Sequence, residues 1–253
     1  MFADINYTDS SGSSSYHSLQ VSGEKRMTGG LQFLTSYTYS HAIDTGNFSG
    51  TRQNLYHLAA ERGNGDIDLR HRLVISGTWE IPFGRQRKFG STMNRALDLA
   101  VGGWRLNAIA SFYTGLPFTP TSSVNTLNGS GTQRPNRTSG GNLPGSERTI
   151  RRWFDVTAFQ TPGLYQFGNA GRNILRGPGT KQADVALAKD FRISDVKRFE
   201  FRGEAFNISN TPQFNNPNAA IGTGAAGTIS SAGSKTTFQR TSRQLQLALK
   251  FYF

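Results

Sequence analysis

Gln244-Leu-Gln-Leu-Ala-Leu-Lys-Phe-Tyr-Phe253 forms the last ten residues of the sequence, and its alternation decides the fold class. In an extended chain successive side chains point to opposite sides. Leu245, Leu247, Leu249, Phe251 and Phe253 therefore share one face. Gln244, Gln246, Ala248, Lys250 and Tyr252 share the other. A helix would scatter the two sets around its axis. The stretch reads as a strand with one apolar and one wet environment.

The same grammar recurs upstream. In residues 198–207, Phe199, Phe201, Gly203 and Ala205 alternate with Arg198, Glu200, Arg202 and Glu204. Five further segments, 17–25, 31–40, 70–81, 103–114 and 182–191, alternate likewise, the last two less cleanly. Between the seven segments the connections run short, long, medium, long, short, long. The long ones span residues 41–69, 115–181 and 208–242; Ser194-Asp-Val-Lys197 is a tight turn. If the last strand ends in the periplasm, every tight turn falls on that side and every long loop outside. This is the layout of an outer-membrane barrel, where short periplasmic turns oppose long extracellular loops.

The pattern predicts an all-β, antiparallel, up-and-down transmembrane sheet of about seven strands. The chain is read as a single barrel segment, 1–253, belonging to a larger barrel. Seven strands make a small circumference, so an open, curved sheet or a strained closure is expected, with the first and last strands as free edges. Aromatic residues near the predicted strand ends suit the girdles that mark lipid–water boundaries. They are Tyr37, Tyr39, Trp79, Phe83, Trp104, Phe112, Tyr113, Phe191, Phe251, Tyr252 and Phe253. Leu245, Leu247, Leu249 and Phe251 are expected to face lipid. Arg198, Glu200, Arg202, Glu204, Gln244, Gln246 and Lys250 are expected to face the lumen or a plug.

Composition agrees. Of the 253 residues 36% are hydrophobic, and mean hydropathy is -0.47. No apolar run is long enough for a spanning helix, a fact with no bearing on strands, which carry about ten residues per crossing. The absence of cysteine removes disulfide frameworks and thiolate chemistry. The opening Met1-Phe-Ala-Asp-Ile-Asn6 lacks the pattern of a signal peptide. The net charge of +12 is scattered, with Arg85-Gln-Arg-Lys88 and Arg151-Arg152 as its densest runs. That distribution points to lipid headgroups and lipopolysaccharide phosphates. No reading helix supports nucleic-acid binding.

Several motifs carry a resemblance. The ending Leu245 to Phe253 resembles the C-terminal assembly signal of bacterial outer-membrane barrels, in which Tyr252 and Phe253 supply the terminal aromatics. Asp68-Leu-Arg-His-Arg-Leu-Val-Ile-Ser-Gly77, with Ile81-Pro-Phe-Gly84 after it, resembles a strand and turn of large TonB-dependent receptors. So do Gly103-Trp-Arg-Leu-Asn107 and Thr114-Gly-Leu-Pro-Phe118. Trp153-Phe-Asp-Val-Thr-Ala-Phe159, Gly168-Asn-Ala-Gly-Arg-Asn173 and Arg176-Gly-Pro-Gly179 resemble the loop that follows. Arg202-Gly-Glu-Ala-Phe-Asn-Ile-Ser-Asn210 and Pro212-Gln-Phe214 resemble the penultimate strand and its exit. The group suggested is the Oar-like receptors, which carry a carboxypeptidase-regulatory-like domain.

The resemblance implies energy-coupled uptake of an extracellular substrate, with a plug domain and TonB in the full-length parent. It also implies assembly by the barrel-assembly machinery. Trp153, Phe154, Phe159, Arg172 and Arg176 become candidate extracellular ligand contacts. The family has about 22 strands around a plug. This chain resembles the last third of such a barrel and shows no plug.

No phosphate loop, dinucleotide fingerprint, metalloprotease helix or nucleophile elbow appears, so no enzyme, cofactor or metal is expected. His17, His41, His57 and His71 lack ligand spacing, and His71 reads as an interfacial histidine. Asp44, Asp66 and Asp68 read as turn residues rather than a cation loop. The sequons at Asn6, Asn47, Asn128, Asn136 and Asn207 carry no weight in a bacterial protein. Two rivals remain: an unplugged porin or adhesin barrel, and a soluble basic β-sandwich that binds carbohydrate or nucleic acid.

Overall fold

The computed structural model describes residues 10–46, 52–85, 87–129, 131–194, 196–233 and 242–253. The stretch around Met1, the sequons at Asn6 and Asn47, and Gln86 and Asp195 lie outside them. Seven long strands dominate: β1 (Ser14–Thr28), β2 (Leu31–Asp44), β3 (His71–Glu80), β4 (Trp104–Tyr113), β5 (Thr180–Arg192), β6 (Arg198–Phe206) and β7 (Gln244–Tyr252). Each pairs antiparallel with its sequence neighbour, so the sheet is a simple up-and-down meander as expected. Among the described residues the one α-helix, α1 (Arg95–Val101), lies in the connection between β3 and β4.

The sheet is open. β1 and β7 end the ladder, and no pairing joins them among the described residues. Hydrogen bonding extends some strands past their alternating stretches. β1 begins at Ser14 and β2 runs to Asp44 because Ser14 stands opposite Asp44 and the ladder continues between them. The expected turn at residues 25–30 contracts to Gly29-Gly30. Both glycines have positive φ, 62° and 79°, as two-residue hairpin turns require.

Register carries each face unbroken across the sheet. Leu249 opposes Phe201, and Phe251 opposes Phe199. Val185 opposes Ala205 and Ala108, Ala110 opposes Ile75, and Leu73 opposes Tyr37, which opposes Val21. This apolar face is left open: Leu245 and Leu247 are each 75% exposed, and Leu249 is 68% exposed. Aromatic clusters flank its aliphatic middle. At the loop end Tyr37 Oη lies 2.8 Å from His71 Nδ1, and the Tyr39 and His71 rings are 5.2 Å apart. At the other end Trp104 meets Phe201 edge-on at 6.1 Å, and Phe199 packs on Phe251 at 4.7 Å. Two predicted girdle members fall on the opposite face. Tyr113 lies under Arg72, and Tyr252 lies under Arg198.

The polar face gathers Arg198, Glu200, Arg202, Glu204, Gln244, Gln246 and Lys250 on β6 and β7. Arg202 bridges Glu204 at 2.7 Å, Tyr252 donates to Glu200 at 3.1 Å, and Arg105 bridges Asp190 at 2.9 Å. A concavity of about 590 Å³ lies on this side, lined in part by Glu24, Gln32, Leu34, Ser76, Thr78 and Asn107.

The buried hydrophobic cluster lies among the long connections instead of the strands. It comprises Phe118, Phe154, Ala158, Phe159, Ala170, Leu175 and Ile221. An exposed apolar face this extensive needs an apolar solvent. Arg at Leu247 is expected to cost about 2–4 kcal/mol when the chain folds in lipid vesicles, whereas Arg at Gln246 is near neutral. Unfolding of both variants in vesicles measures this, and equal tolerance would show that the faces are misassigned.

Candidate functional site: an interlocked loop cap

Antiparallel order puts the connections at residues 45–70, 114–179 and 207–243 at one end of the sheet. None is an independent loop. Short ladders stitch them together: Pro117–Phe118 with Leu175–Arg176, Asn136–Arg137 with Phe159–Gln160, and Thr121–Ser122 with Ala220–Ile221. The last joins the second connection to the third. Trp153 N also donates to Gly227 O at 2.9 Å, and Ile229 N to Ile150 O at 2.7 Å.

Arginines join the first connection to the second. Arg134 meets Glu61 through two parallel bonds of 2.8 and 3.0 Å, and both side chains are buried. Such a fork fits a carboxylate in the geometry that makes these pairs strong. Arg134 Nη2 also donates to Ala60 O at 3.2 Å, and Asn54 N to Glu61 Oε1 at 3.1 Å. Arg172 donates to Glu61 O at 3.0 Å, to Asp66 Oδ1 at 3.3 Å and to Asp44 O at 2.8 Å, and it pairs with the Asp44 carboxylate. Arg176 donates to Asp68 O at 2.9 Å and Gly115 O at 3.2 Å and pairs with the Asp68 carboxylate. Arg70 adds a second guanidinium on Asp68 at 2.9 Å.

Asp68 feels opposing influences. Burial pushes its carboxyl up. The backbone N–H of Ala42 and the guanidiniums of Arg176 and Arg70 outweigh that, so its pKa falls below the ordinary value of 3.8. Asp44, Asp66 and Asp68 are thus arginine partners that tie the strand ends to the cap, a use beyond the turn chemistry expected of them.

The five residues expected to contact ligand serve the cap's interior. Phe154 and Phe159 are 1% and 4% exposed, and their rings pack edge-on at 6.0 Å. Trp153 packs against the same cluster and donates to Arg176 O at 2.8 Å. Arg172 is buried, and Arg176 is engaged with Asp68. Their side chains build the cap and present little surface. Asn207 is also fully buried: its N–H donates to Asp184 at 2.7 Å and its amide to Thr211 O at 3.0 Å. The glycine motifs permit close approach. A Cβ at Gly168 would stand 1.9 Å from Arg134 O, and one at Gly115 would stand 1.8 Å from Gly177 O.

A two-faced open wall with apolar exposure, aromatic flanks and a folded cap at one end defines a membrane β-barrel protein. The chain matches the family model described as "Outer membrane beta barrel domain" over residues 1–246. It belongs to that family, and its place is the bacterial outer membrane. No curated protein and no solved structure matches it.

Glu61→Gln is expected to destabilise the cap by about 3–5 kcal/mol, because Arg134 would remain buried without its counter-charge. Protease should then cut within residues 52–62 and 131–137 while the sheet stays folded, and wild-type resistance would contradict this role. Asp68, whose folded pKa is depressed, stabilises the cap above pH 3.8 and loses that contribution as pH falls through the lower folded value. Asp68→Asn should remove this acid sensitivity, which protease resistance measured against pH reports.

Proposed function

We propose that the chain forms the wall, extracellular cap and C-terminal assembly signal of a TonB-dependent receptor of Oar-like type, and that its parent imports a substrate yet to be identified. The observation that carries this reading is the cap itself. Three long connections interlock into one folded body, the first two through arginine–carboxylate pairs and the second and third through a short ladder, which suits a receptor surface. The ligand would meet residues on the outside of the cap. A plug would occupy the polar face, where Asp190 Oδ1 and Arg202 Nε are buried without a partner among the described residues. TonB would act through that plug. The chain would supply no catalysis. Its apolar face would meet lipid, and its outer rim the phosphates of lipopolysaccharide. The tight-turn end would face the periplasm.

In planar bilayers the complete parent protein should hold its pore closed. A steady open conductance would favour the unplugged porin instead. The terminus supports a second expectation. β7 is an edge strand whose backbone can pair with an assembly factor by strand addition. Phe253 is 92% exposed and stacks on Phe251 at 5.7 Å. Deleting Phe253 in the parent should lower surface abundance several-fold while leaving unfolding in detergent nearly unchanged. Normal surface levels for the deletion would refute the assembly role.

A further inference from the structure

We propose that the connection between β3 and β4, residues 81–103, is an interfacial anchor that binds anionic glycerophospholipid headgroups of the leaflet nearest the tight turns. A meander strand pair needs only a few residues to turn, as Gly29-Gly30 shows at the same end of the sheet. This connection instead builds α1 and a folded aromatic turn. Phe89 N donates to Pro82 O at 3.0 Å and Gly84 N to Phe89 O at 2.9 Å, which brings the Phe83 and Phe89 rings to 5.4 Å. Those rings are 48% and 47% exposed.

Helix α1 reads Arg-Ala-Leu-Asp-Leu-Ala-Val, capped by the Asn94 side chain on Leu97 N at 2.8 Å. None of its residues is buried, and Leu97, Leu99 and Val101 are 49%, 51% and 42% exposed. A helix this apolar on nearly all sides is unsuited to water. Its position supplies the solvent. Lys189 Nζ donates to Asp98 O at 3.2 Å and to Leu99 O at 2.6 Å, and Trp104 Nε1 donates to Ala100 O at 3.0 Å. Lys189 and Trp104 oppose one another on the apolar face of the sheet. The C-terminal end of α1 therefore abuts the face that continues into lipid. A cation at helix carbonyls is also the favourable arrangement for the dipole.

Charge selects the headgroup. The connection carries Arg85, Arg87, Lys88 and Arg95 against Asp98 alone. Asp98 is occupied by Arg85 N at 2.7 Å, and Arg87 by Glu80 at 2.9 Å. Arg85, Lys88 and Arg95 have no ion pair among the described residues. Three cations without an ion pair among the described residues, Lys88 resting over the Phe89 ring at 5.5 Å, lie beside exposed aromatic and aliphatic side chains and match the chemistry of an anionic lipid surface.

The proposal rests on the assignment of the apolar face to lipid, and the test separates the two. Because the sequence has no cysteine, Leu97→Cys and Leu247→Cys can each carry one polarity-sensitive dye. The full chain is reconstituted in vesicles of phosphatidylcholine with phosphatidylglycerol, and the dye is quenched by nitroxide lipids or by aqueous iodide. The dye at residue 97 should be quenched by shallow nitroxide lipids and shielded from iodide. Headgroup-labelled phosphatidylglycerol should quench it about twofold more than labelled phosphatidylcholine. Combining Arg85→Gln, Lys88→Gln and Arg95→Gln should abolish that preference. Iodide access at residue 97 with lipid quenching at residue 247 overturns the anchor alone. Iodide access at both overturns the face assignment as well. Lipid quenching at residue 97 without headgroup preference overturns the anionic site.

Discussion

Hydrocarbon supplies no hydrogen bonds, and that absence governs the arrangement of this chain. Each backbone N–H and C=O in the wall must find its partner in an adjacent strand. A meander achieves this with the least chain, since each strand pairs with its sequence neighbour. Pairing in turn fixes register, and register keeps Leu73, Ile75, Ala110 and Val185 on one side while Arg72, Asn107 and Asp184 stay on the other. One slipped residue would exchange the two solvents for an entire strand.

The same constraint explains where the molecule keeps its core. A soluble sheet would bury Leu245, Leu247 and Leu249 against a second layer; here they are largely exposed. Tertiary packing concentrates in the cap, outside the hydrocarbon, where Phe118, Phe154 and Leu175 come together. Buried ion pairs belong there too. Arg134, Arg172 and Arg176 fasten connections that lie far apart in sequence, Arg176 and Asp68 being 108 residues apart. The attachment points are strand ends: Asp44 closes β2, Asp68 precedes β3, and Asn207 follows β6. The cap is built as a continuation of the wall, fixed at several strands rather than hung from one.

This division also explains what could be read from residues alone. The seven strands and their order were legible because period-two alternation survives wherever one side meets lipid and the other water. Strand ends were less so. Ser14 and Asp44 belong to strands because they pair with each other, and nothing in their polarity announces it. Tyr113 and Tyr252 sit near strand ends as girdle residues do, yet parity places them on the polar face under arginines. The cap was legible only as motifs. Gly168 and Arg176 stood out in sequence, but their partners Arg134 and Asp68 are distant and follow no period. A loop tryptophan or phenylalanine that packs inward carries the same letters as one that grips a ligand, and Phe154 and Phe159 pack inward.

An open wall leaves one physical requirement unmet. β1 and β7 each present a row of backbone groups that the ladder does not use. In water such a row is solvated; in hydrocarbon it costs several kcal/mol for each unsatisfied group. The apolar side chains of β7 nonetheless continue to the edge, with Leu245 and Leu247 in register with Ala205 and Gly203. A wall whose lipid-facing pattern persists to its last strand is shaped for further pairing at that edge. Either more strands or a transient pairing partner would satisfy the requirement, since each could use the same backbone hydrogen bonds and alternate side chains.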